Sequence, residues 1–232
     1  MTRRFQALAA WAALALVLPT AVMAQSISVL DQLAEAGISI YAIGALSVLA
    51  VAVTIERLTR FRSSRLAPAE VVPKVLALVQ AGQWDDARLL LAPGGSVLAR
   101  MALYVLDHRS MAPADLSARL GDMASHALRV EQQKAYPLAV VATVAPIIGL
   151  LGTVIGMIEA FHVIAYSGGL GDPALLAGGI SKALVNTAAG LSVALPSLML
   201  HHFFKHRLTA VSLALESQLN ALTDGLAAQQ GG

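Results

Sequence analysis

The chain has no cysteine, which excludes disulfides and thiolate metal sites. Charge is also scarce. Charged residues make up 13% of the 232, against about 25% in a typical soluble domain. What replaces them is apolar: 57% of the residues are hydrophobic and the mean hydropathy is +0.69, the composition of a membrane protein. A pI of 9.2 suggests a basic protein, but the excess is local. Arg3 and Arg4 lie in a signal-like start, and taking them from the 16 Lys and Arg leaves 14 to balance the 14 acidic residues. No nucleic-acid partner is expected from such a balance. The polar middle of the chain lacks a glycine-rich phosphate loop, clustered carboxylates and His pairs at ligand spacing, so neither an enzyme nor a cofactor or metal is expected.

The stretch from Ala135 to Tyr166 organises what is there. No charged side chain occurs between Lys134 and Glu159. At about 1.5 Å per residue, a helix of that length exceeds a hydrocarbon core of about 30 Å. Pro146, Gly149, Thr153, Gly156 and Ala160 recur every three or four residues and share one face. An anchor needs no such stripe; small residues let a second helix approach closely. The Thr153 hydroxyl sits in the middle of that face. Either it bonds a carbonyl one turn back, or the face lines a polar seam or pore.

Residues 1–24 read as a secretory signal: Arg3-Arg4, an apolar run from Ala7 to Leu18, Pro19, then Val22-Met23-Ala24 before Gln25. The alternative is an uncleaved extra membrane helix. A first membrane helix is expected over 36–58, followed by Arg57, Arg60, Arg62 and Arg65, which the positive-inside rule assigns to the cytoplasm. Residues 59–134 carry most of the charges and alternate helix breakers with helical periodicity, so a helical cytoplasmic domain is expected there. Val71, Val75, Leu78 and Val79 make one apolar face; Ala87, Leu90 and Leu91 make another beyond Ala81-Gly82; Leu116, Leu120, Met123, Ala127 and Val130 continue towards the second span. Trp84 reads as a packing residue rather than a ligand platform.

The second membrane helix is expected over 135–166, a short periplasmic loop over 167–174 and a third membrane helix over 175–204. His201, His202, Lys205, His206 and Arg207 then mark a cytoplasmic end, and 205–232 form a tail that is amphipathic through Leu208, Val211, Leu215, Leu219 and Leu222 before fraying. His202 and His206 share a helix face, where a solvated basic end competes with a metal pair. Within the third span Thr187, Gly190, Ala194 and Ser197 form a second small and polar stripe. Lys182 and Asn186 lie one turn apart on an adjacent face. An ionisable residue in a span is a functional candidate, yet the Lys182 stem is long enough to snorkel to the headgroups.

The paired stretches APIIGLLGTVIGMIEAF (Ala145 to Phe161) and LAGGISKALVNTAAGLSVALPSL (Leu176 to Leu198), with Glu56-Arg57-Leu58 after the first span, resemble the MotA/TolQ/ExbB proton-channel family. ExbB and TolQ are the nearer members, since MotA has four spans. The resemblance implies an all-α fold with three transmembrane helices extended by a helical cytoplasmic domain. It further implies a homopentameric ring in the lipid of a bacterial inner membrane, with the N-terminus periplasmic. Such a ring encloses an ExbD- or TolR-like single-span partner and works with a TonB- or TolA-like protein, coupling proton flow to outer-membrane transport.

Thr153 and Thr187 match the family's pore-facing threonines, and with Lys182 and Asn186 they are the candidate proton-pathway or pore-lining residues. Gly149, Gly152, Gly156, Gly190 and Ala194 are the candidate helix-packing residues. Lys182 departs from the pattern, standing where ExbB and TolQ place a membrane-embedded glutamate. Two alternatives stay open: a membrane scaffold that does not conduct, and a TolQ-like subunit serving envelope integrity.

Overall fold

A computed structural model describes residues 37–61, 66–92, 95–166 and 173–230; the signal-like segment and most of the short loop after Tyr166 lie outside these. The described chain is helical: α1 Ile38–Arg60, α2 Val71–Gln80, α3 Trp84–Leu91, α4 Val97–Asp107, α5 Pro113–Tyr166 and α6 Pro173–Gln230. Among them α1, α5 and α6 are the 3 long and apolar enough to cross a membrane. The all-α fold with spans extended by further helix is therefore present.

The described chain divides into two compact units, one joining the described residues up to Glu56 with Ala135–His202, the other joining Arg57–Lys134 with the described residues from Phe203 to Gln230. α5 and α6 each contribute to both. Pro137 and Pro146 lie inside α5 and Pro196 inside α6, without ending either helix. Prolines of this kind are tolerated in membrane helices, where neighbouring groups take up the backbone polar atoms they free.

The second unit has a core of its own. Val72, Val75 and Val79 of α2, Ala87 and Leu91 of α3, most of α4, Leu116 and Leu120 of α5, and Leu215, Leu219, Leu222 and Leu226 of α6 are buried together. This burial answers the fraying expected of the tail, since α6 stays helical to Gln230 because its last turns carry Leu222 and Leu226 into the core. Leu90 departs from the expected α3 face: it is exposed, and so is Leu89, while Ala87 and Leu91 turn inward. Trp84 packs on this core with the Arg109 guanidinium 4.7 Å from its ring centre.

Local chemistry sets the element ends. α2 stops in a Schellman motif: Gln83 N–H donates to Leu78 O (2.9 Å) and Gly82 N–H to Val79 O (3.0 Å), with Gly82 at φ +76° where a side chain would be strained. Ser96 caps α4, its hydroxyl accepting from Ala99 N–H at 3.0 Å. At the end of α1, Arg57 is buried and donates to Glu131 at 3.0 Å; Lys134 donates to the other oxygen of that carboxylate at 2.6 Å. A charge as buried as Arg57 is tolerable only with such a partner.

Candidate functional site

In the first unit α5 and α6 run antiparallel along a seam of small residues. A Cβ added to Gly190 would lie 2.6 Å from Ala145 O, one on Gly149 2.8 Å from Asn186 O, and one on Gly156 3.2 Å from Ala183 Cβ. Towards the far end Gly179 faces Ala160, whose Cα would be 3.2 Å from an added Cβ. Backbones this close leave no room for side chains, which is the physical content of the glycine spacing.

Gly149, Gly152, Gly156 and Gly190 all lie on this contact, and Ala194 is buried on α6. The stripes in the sequence left out Gly179 and Ala183. Their spacing to Asn186 and Gly190 follows the same helical rhythm, and that was the signal available for them.

Two hydroxyls meet in the middle of the seam. The Thr153 hydroxyl lies 3.1 Å from Gly149 O on its own helix and 3.1 Å from Ala183 O across it. It also hydrogen-bonds the Thr187 hydroxyl, which itself reaches Gly149 O at 3.3 Å. The bond one turn back is present, and Thr153 also faces polar atoms of the other helix within this chain. Two hydroxyl protons serve these contacts, so whichever threonine donates to the other accepts nothing from it in return. Reversing that donation swaps which hydroxyl is left to bond a carbonyl.

Asn186 is 2% exposed and its side chain lies over Gly152: a Cβ there would come within 2.7 Å of Asn186 Cγ. Lys182, one turn along α6, is half-buried. Ser197 is fully buried and donates to Val193 O at 2.8 Å, so its hydroxyl serves its own helix. His201 Nδ1 lies 3.4 Å from Ala135 O, tying the near end of the seam. Among the described residues no three His, Asp or Glu side chains converge as a metal site.

Glycine-faced helices meeting around paired hydroxyls define a class of membrane protein whose spans pack closely through small residues. The family described as the MotA/TolQ/ExbB proton channel family matches residues 96–217, more than half of the chain, and the chain belongs to that family. It is similar to the biopolymer transport protein ExbB-like 3 of Synechocystis, with 29% identity over 160 residues, 68% of this chain and 76% of the relative. It is similar also to the biopolymer transport protein ExbB of Aquifex aeolicus, 41% identical over 71 residues. That match covers 31% of this chain and 47% of the relative. A third relative, the biopolymer transport protein exbB1 of Vibrio cholerae, is 43% identical over 61 residues, 26% of this chain and 27% of its own length.

Proposed function

We propose that this chain is an ExbB-like ring subunit of an inner-membrane energiser, in which proton flow drives biopolymer transport across the envelope. The observation that carries this is the Thr153–Thr187 hydroxyl pair set between Gly149 O and Ala183 O in an otherwise apolar seam. Hydroxyls in hydrocarbon are costly unless bonded, and a pair that can reverse its donation is suited to orienting water or a protonated carboxyl beside it. The carboxyl belongs, in this reading, to an ExbD- or TolR-like single-span partner held inside a homopentameric ring. A TonB- or TolA-like protein takes the work onward. Arg57, Lys205 and Arg207 near the ends of the spans support an orientation with both cytoplasmic segments on the inner side.

The second reading, a membrane scaffold, is favoured by the same hydroxyls being satisfied by backbone carbonyls within the chain. Thr153→Val and Thr187→Val separate the two. Valine keeps the threonine shape and removes the hydroxyl. A conducting ring should lose at least ten-fold in proton flux, measured in liposomes carrying the purified complex, while native mass spectrometry still finds the assembled ring. A wild-type ring that assembles but passes no more protons than empty liposomes favours the scaffold, and flux equal to a conducting wild type in both variants removes the hydroxyl pair from the path.

A further inference from the structure

Most contacts along the seam set glycine against alanine. Gly190 meets Ala145, Gly156 meets Ala183 and Gly179 meets Ala160. Such contacts hold two helices close but select a register weakly, because a slip of one turn, about 5.4 Å, sets small residues against small residues again. Asn186 is different. It is 2% exposed, and its side chain is aimed at bare backbone. A Cβ added to Gly152 would lie 2.7 Å from Asn186 Cγ, 2.9 Å from its Cβ and 2.9 Å from its Nδ2. The amide therefore fills the space that any side chain at position 152 would need.

The main chain of Asn186 is seated in the same way, its carbonyl oxygen 2.8 Å from a Cβ added to Gly149. One residue of α6 thus fills two notches of α5 that are three positions apart. Between Ala135 and Tyr166 only Gly149 and Gly152 are glycines at that spacing. A turn of slip in one direction would offer Asn186 Thr153 and Gly156, and in the other Ala145 and Ile148, each with a side chain in the way. Thr153 follows Gly152 in sequence and Thr187 follows Asn186. Their hydroxyls bond one another and share Gly149 O, directly beside this fit.

We propose that Asn186 is a positioning residue for the hydroxyl pair: its amide, seated in the Gly152 notch, fixes the register that sets Thr187 against Thr153. This rests on the proton-handling reading of the pair. Asn186 acts here by shape, so a bulge of similar size offered from α5 can stand in for it. An amide that itself took part in the proton path could not be replaced by a methyl group on the other helix.

The lack of cysteine makes the register measurable. Thr153→Cys with Thr187→Cys places thiols where the two hydroxyls touch, and oxidation joins them only while those positions face one another. In the full-length protein with its co-purified partner, this disulfide should form readily. Adding Asn186→Ala should slow it about ten-fold or more, and adding Gly152→Ala as well, which fills the vacated notch from α5, should bring the rate back to within about three-fold. With both threonines kept, proton flux in liposomes should fall in Asn186→Ala and recover in the double variant by similar factors.

Disulfide formation as fast with Asn186→Ala as without it, or a double variant no better than Asn186→Ala, overturns the proposal. Where Asn186→Ala does not assemble by native mass spectrometry, recovery of the ring in the double variant supports the fit, and absence of recovery overturns it. Flux lost at unchanged disulfide formation makes the amide part of the path: the positioning role is then wrong and the channel reading stands. Disulfide formation that falls and recovers as stated while flux stays level throughout leaves the positioning role standing and removes the hydroxyl pair from the path.

Discussion

Arg57 shows how much a single residue carries in this chain. It is 2% exposed and its guanidinium rests on Glu131, which Lys134 also reaches. Taking away the carboxylate removes the Glu131 oxygen from a buried cation, the kind of loss that costs about 3–5 kcal/mol. Taking away the cation leaves Glu131, whose side chain is 18% exposed and keeps Lys134, so it loses less. Glu131→Gln is therefore expected to lower the thermal midpoint of the detergent-purified protein clearly more than Arg57→Met. Equal shifts would mean that the pair contributes as a surface bridge does, worth at most about 1 kcal/mol.

At the scale of the element, the seam separates two kinds of glycine. An added methyl at Gly190 meets the carbonyl oxygen of Ala145, a backbone atom that yields only if the helices part. At Gly152 the methyl meets the Asn186 side chain, which can be removed. Gly190→Ala is expected to destabilise the α5–α6 pair and to resist rescue. Gly152→Ala should cost about 1–3 kcal/mol by overpacking and recover most of it in combination with Asn186→Ala. Thermal unfolding of the single and double variants measures both. Additive effects of Gly152→Ala and Asn186→Ala would show that the two do not touch in the membrane.

At the scale of the whole molecule, the last part of α6 is a structural member of the second unit. Leu215, Leu219, Leu222 and Leu226 join a core otherwise built from α2, α3, α4 and the start of α5, and Leu222 is fully buried. Leu222→Ala should cost about 2–5 kcal/mol in that unit. Ending the chain after Arg207 should expose that core outright, seen as rapid proteolysis between residues 66 and 107 while the membrane-embedded part stays protected. Protection of that segment in the shortened protein would show that the unit holds without α6.

Much of this was fixed by residue order alone, because it depends on local rules. Long uncharged runs make membrane helices wherever they occur, and the three spans follow from that. Gly82 after an apolar helical run marks its stop, since only glycine takes the left-handed turn at no cost. The spacing of Gly149, Thr153 and Gly156 declares a face for another helix, and the motifs of the two later spans declare the family.

Which residues meet across that face was a different matter. That Thr153 bonds both Gly149 O and Ala183 O and that Asn186 covers Gly152 depend on the register between α5 and α6. A shift of one turn would keep every stripe legible and pair different residues. The pairing of Arg57 with Glu131, far apart in sequence, was equally out of reach, as was the burial of the α6 end. Periodicity states which side of a helix seeks a partner; only packing at a fixed register decides which atoms it finds.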